Sequence, residues 1–144
     1  MLLDIRKISQ EKQIEKYGCV AACISMVTGI SQKAIINEIE KDGYEMPFNQ
    51  EAADRFLTRH DVHSAKLSHG MFVEGMIYLI TCASPISPAS AHMIVGYVYD
   101  GYMRILDPAD DLENEKLYSS TDFSENMVPC FEYYLLTDCR LEAH

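Results

Sequence analysis

The sequence predicts an α+β fold, with N-terminal helices packed on a mainly antiparallel β-sheet. Three observations lead there. Helical apolar periodicity dominates the first sixty residues, alternating patterns follow from residue 62, and Asp100-Gly101 joins two of those patterns as a hairpin. With 144 residues, no internal repeat and no linker, the chain is expected to form a single domain over residues 1–144.

Residues 19–28 read as a buried helix, because Ala21, Ala22, Cys23, Ile24, Met26 and Val27 leave it little polar face. Gly29 fits its C-cap, and Ser31 fits the N-cap of a second helix over 32–42 that turns Ile35, Ile36 and Ile39 inward. That helix closes at Asp42-Gly43. A third, over 49–59, carries Ala52, Ala53, Phe56 and Leu57 on one face. "VHSAKL" (62–67) alternates as a strand does, and "SHGMFVEGM" (68–76) reads as a short helix capped by Ser68. A buried strand, "IYLITCA" (77–83), precedes a Pro/Ser loop over 84–91 and two alternating runs, 92–99 and 102–107. An acidic stretch (107–126) then leads to a final strand near 129–137.

The hairpin fixes two side chains. A two-residue Asp-Gly turn pairs Tyr99 with Tyr102, and counting back pairs Ile94 with Asp107 and His92 with Ala109. His92 and Asp107 then project from one face as diagonal neighbours, about 7–8 Å apart at the backbone, within reach for an imidazole and a carboxylate. Upstream, Cys19 opens the first helix just after Tyr17-Gly18, where the positive end of the helix dipole favours thiolate over thiol. A thiol, a base and a carboxylate that orients the base are the three parts of nucleophilic catalysis.

Composition removes several other classes. A net charge of −10 argues against a nucleic-acid backbone or an anionic membrane as partner. No apolar run reaches membrane-spanning length, and the charges in "MLLDIRK" come too early for a signal peptide. The expected location is cytoplasmic, or exported as an effector without a cleavable signal. Five cysteines (19, 23, 82, 130 and 139) form no CxxC pair and no disulfide framework. Cys23, one helical turn after Cys19, reads as a core residue, and Cys82, Cys130 and Cys139 as structural. His60, His63 and His69 lack a fourth ligand at zinc-like spacing, and "DPADDLENE" (107–115) lacks the order of a calcium loop. No phosphate-cradling glycine loop occurs, so neither a metal nor an organic cofactor is expected.

The pattern Gln13-x5-Cys19 opening an Ala/Met-rich helix, followed by "HMIVGYV" and "RILDPA", resembles the papain-like cysteine peptidases that process double-glycine leader peptides. The likeness runs from Gln13 to Ala109 in the family's order. It implies a papain-like fold in which Cys19 is the nucleophile, His92 the base, Asp107 its orienting partner and Gln13 the oxyanion donor. It also implies a peptide or protein substrate. The family has glycine after its cysteine, where this chain has Val20 and carries Gly18 before. Cores with Cys, His and Asp in this order also occur in bacterial effectors that are proteases or glutamine deamidases. The expected activity is hydrolysis of amide bonds; glutamine deamidation and non-catalytic peptide binding stay open as alternatives. Oligomeric state is not legible in the sequence.

Overall fold

In the computed structural model, which describes residues 1–68, 72–83, 91–109, 116–118 and 130–138, three helices come first. They are α1 (Cys19–Thr28), α2 (Gln32–Lys41) and α3 (Gln50–Arg59). The side chains of Ser31 and Asn49 start α2 and α3 by accepting the N–H groups of Ala34 and Ala52. Gly29, at φ 79°, stops α1 in the left-handed conformation and donates its own N–H to the Ser25 carbonyl.

Among the described residues six strands follow: β1 (Val62–Leu67), β2 (Ile77–Ala83), β3 (Ala91–Tyr99), β4 (Tyr102–Leu106), β5 (Lys116–Tyr118) and β6 (Cys130–Asp138). They form one sheet in the order β1-β6-β2-β3-β4-β5, with every neighbouring pair antiparallel. The helices pack on this sheet, α1 against β3 and α3 against β1, so the chain is α+β as the sequence predicts. Period-two alternation divides the apolar side chains between two clusters. Leu79, Met93, Val95 and Leu136 join the helices on one side, and Tyr78, Ile80, Ile94, Val98, Met103 and Ile105 form the other. Among the described residues no single helix is long and apolar enough to cross a membrane.

The hairpin turn forms as its sequence requires. Asp100 (φ 55°) and Gly101 (φ 80°) are both left-handed, the signature of a type I′ turn, and Tyr99 pairs with Tyr102. The ladder ends sooner than expected, at Val95–Leu106, so Ile94–Asp107 and His92–Ala109 are not strand pairs. Pro108 has no N–H to give a ladder, and the N–H of Ala109 goes to the Asp107 side chain instead.

Three expectations are corrected. The stretch 68–76 is not a helix where it is described: residues 72–76 make a turn at Glu74-Gly75, and Gly75 donates to the Val98 carbonyl. The Glu74 carboxylate accepts from the N–H groups of Asp100 and Gly101, so this segment caps the hairpin. The acidic stretch contains a strand, β5, which pairs with β4. The Pro/Ser loop gives up Ala91 to β3, and its residues 84–90 lie outside the described residues, as do 69–71, 110–115, 119–129 and 139–144. His69 and Cys139 fall in those parts.

Candidate active site

The premature end of the β3–β4 ladder builds the site. In a two-residue hairpin closed by Tyr99 and Tyr102, the odd residues of β3 aim their peptide groups toward β4. β4 stops at Leu106, short of Met93, and the first turn of α1 takes up the vacated edge. The Met93 N–H donates to the sulfur of Cys19. One helical turn on, the Cys23 Sγ–H donates to the Met93 carbonyl at 3.3 Å. The backbone of one residue, Met93, thus seats both cysteines, and this contact sets the N-terminus of α1 against the start of β3.

His92, the residue before Met93, brings its ring to the same place. Its Nε2 lies 2.6 Å from Asp107 Oδ1, and the two side chains are only 9% and 16% exposed. The Asp107 carboxylate is itself held, because Oδ1 also accepts the Ala109 N–H at 2.9 Å. The ordinary Asp-Pro turn and the orientation of the imidazole therefore use one oxygen. On its other side the ring hydrogen-bonds the Cys19 thiol.

The electrostatics follow from these contacts. Burial is the largest single influence and pushes the Cys19 thiol up, but the hydrogen bond with His92, the Met93 N–H, the imidazole charge and the Val20 N–H together outweigh it. The result is a thiol below its ordinary value. For His92, burial alone would lower the imidazole, and the hydrogen bonds it makes to Asp107 and Cys19, with their charges, reverse it, to about 9. Near neutral pH the arrangement favours an imidazolium, beside a thiol that ionises more readily than an ordinary one. Cys23 contrasts: complete burial holds it well above the thiol range, in keeping with a core residue.

Cys19, His92 and Asp107 are thus brought together, and Gln13 is not brought to them in the expected way. Its Nε2 donates to the carbonyls of Glu15 (3.0 Å) and Lys16 (2.8 Å), closing the loop that leads into α1. A carboxamide has two N–H groups, and both have acceptors here, so Gln13 offers none to an oxyanion. Turning the amide over would set its oxygen against two carbonyl oxygens. α1 has no side-chain N-cap, so the backbone N–H groups of its first turn are the oxyanion donors at hand. Val20, the departure from the family pattern, is 4% exposed and packs in the core.

Two residues matter to which the sequence reading gave no role, Gln10 (the other glutamine of the polar stretch that holds Gln13) and Gln32. Gln10 donates its Nε2 to the Asp107 carbonyl at 3.0 Å, next to the expected Gln13 but with no interval to mark it. Gln32, 6% exposed, holds the 12–14 backbone from α2. It did leave a signal, because Gln32 falls on the apolar stripe with Ile35, Ile36 and Ile39, where a polar residue needs a partner. Of the histidines outside the site, His60 binds Glu38 and stacks on Phe56, and His63 is exposed on β1. No protein-family model matches the chain, and no curated protein matches it.

Proposed function

We propose that the chain is a cysteine-dependent amide hydrolase of papain-like architecture, acting on a peptide or protein substrate. One observation carries the reading: a single imidazole that bonds a partly exposed thiol on one side and a carboxylate at 2.6 Å on the other. The Cys19 thiolate attacks the carbonyl carbon, forming a C–S bond while negative charge moves to oxygen. That charge develops at the N-terminus of α1, where the Cys19 N–H and the helix dipole stabilise it. His92 gives its proton to the amide nitrogen as the C–N bond breaks, leaving a thioester and a free amine. Water then attacks the thioester, His92 takes the water proton, and Cys19 leaves as thiolate. Asp107 keeps the ring in the orientation both steps need. Backbone cleavage and glutamine deamidation share every step, differing only in which amide enters.

The non-catalytic reading, a papain-like module that binds peptides, draws on the Gln13 carboxamide, whose donors are engaged within its own loop. One experiment separates all three. Wild-type protein and Cys19→Ala are incubated with a whole-cell lysate, and mass spectrometry searches for new peptide termini and for +1 Da glutamine conversions (about one mass unit, amide to acid). New termini that need Cys19 support a peptidase, and conversions a deamidase. If wild type and Cys19→Ala give the same peptides, the hydrolase reading is refuted.

A further inference from the structure

Residues 10–14 cross the molecule between the helices and the Asp107-Pro108 turn, and both borders of this strap are hydrogen-bonded. On the helix side, Gln32 Nε2 donates to the Lys12 carbonyl at 3.0 Å and Gln32 Oε1 accepts the Ile14 N–H at 3.0 Å. The side chain thus binds the backbone on both sides of Gln13, as a neighbouring strand would. Glu11 adds to this border, accepting from Ser25 Oγ at 2.9 Å and from Gln32 Nε2 at 3.3 Å. On the other border, the Gln13 N–H donates to the Pro108 carbonyl at 2.9 Å and Gln10 Nε2 to the Asp107 carbonyl at 3.0 Å.

From these contacts we infer that Gln32 is a positioning residue for the candidate site, holding Asp107 against His92 through the 10–14 strap. The inference rests on the reading of Cys19, His92 and Asp107 as the catalytic group. Gln32 touches none of the three. Its carboxamide is the one group that binds two points of the strap from the buried face of α2, and a buried amide left without these partners would be costly. When the strap is fixed, the carbonyls of Asp107 and Pro108 have fixed donors. The Asp107 carboxylate can then serve the Ala109 N–H and the His92 ring from one position. A loosened strap frees that turn to rotate, and the short bond to the ring is the contact it would lose first.

The test compares wild type, Gln32→Leu and Gln10→Leu. Gln32→Leu keeps the bulk of the side chain and removes both hydrogen-bonding ends, whereas Gln10→Leu removes the side-chain bond of the other border from a residue outside α2. Amide hydrogen exchange at Gln13 and Ala109 reads the strap and turn directly, and iodoacetamide alkylation against pH reads Cys19. In Gln32→Leu, exchange at both amides should quicken at least about ten-fold while α1 and β3 keep their protection. The Cys19 midpoint should rise by about half to one pH unit, so alkylation at pH 6 falls roughly three- to ten-fold. A variant that only lost stability would lower the melting temperature and leave the midpoint where it was, and that result overturns the inference. If Gln32→Leu fails to fold, Gln10→Leu decides by the same two readings. If wild-type Cys19 titrates as an ordinary thiol, the catalytic reading fails, and the exchange rates still judge the strap.

Discussion

Replacing Asp107 with asparagine separates charge from geometry at the candidate site. Asparagine keeps an oxygen at the Oδ1 position, so it can still accept from His92 Nε2 and from the Ala109 N–H. Only the negative charge is lost. In the wild type that carboxylate is the main influence raising His92 to about 9 against the opposing pull of burial. The rise from 6.5 to about 9 amounts to about 3 kcal/mol at ~1.4 kcal/mol per tenfold, and solvent screening trims it to about 2 kcal/mol. Without the charge, burial prevails and the imidazole should titrate near or below its ordinary 6.5. At pH 7.5 the protonated fraction should therefore fall from nearly all to about one-tenth. The sign of the stability effect follows. A raised imidazole stabilises the native state fully below pH 6.5, and this contribution fades as pH rises toward about 9. The stability gap between wild type and Asp107→Asn should thus narrow by about 2 kcal/mol between pH 6 and pH 10 in urea titrations. NMR titration of the His92 ring gives the midpoint itself. A ring that still titrates near 9 in Asp107→Asn would refute the assignment of Asp107.

Three further outcomes are expected. At pH 6 iodoacetamide should label Cys19 at least about ten-fold faster than Cys23 or Cys82 in the folded protein, and equal labelling by peptide mapping would count against an activated thiol. Cys19→Ser should change stability by less than about 1 kcal/mol, whereas Cys23→Ser should cost about 1–2 kcal/mol, because a buried hydroxyl must reach the Met93 carbonyl over a shorter bond. The opposite order in urea denaturation would mean that the two cysteines have been given each other's roles. Gly101→Val, at a position with φ 80°, should cost about 1–2 kcal/mol and lower the melting temperature without altering the Cys19 midpoint.

The parts of the fold that were legible in the sequence are those governed by local chemistry. Ser31, Gly29 and Asp100-Gly101 each act within a few residues, and each does what its type predicts. The pairing of His92 with Asp107 was legible too, although by a different route from the one counted. The β3–β4 register ends at Val95–Leu106, before either residue, and it is the turn at Asp107-Pro108, not a continued ladder, that joins the two side chains. Where a side chain's direction depends on an irregular loop, spacing carried no information. Gln13 stands six residues before Cys19, an interval that suggested an oxyanion donor, yet the 13–18 loop sends its amide to Glu15 and Lys16. The stretch 68–76 has a helix-like start at Ser68, but over the described residues 72–76 the tertiary demand of the hairpin turn on Glu74 prevails. β5 is three residues long and lies in an acidic run, too short for any periodicity to show.

The place of β6 in the sheet has a consequence for how the molecule is made. β6 lies between β1 and β2, so it joins the part that carries α3 and β1 to the part that carries the β2–β3–β4 layers. A chain emerging in order presents β1 and β2 long before the strand that must go between them, and during that interval both expose unpaired edges. The pairs Val62–Asp138 and Leu67–Tyr133 close some of the longest loops in the fold, which places sheet completion among the slow, late events of folding. Until then the sheet is two pieces, and the β2 edge is a template for any other extended chain. A nascent or truncated form lacking β6 is therefore the species in which self-association should begin, and chaperone demand should end when residues 130–138 become available.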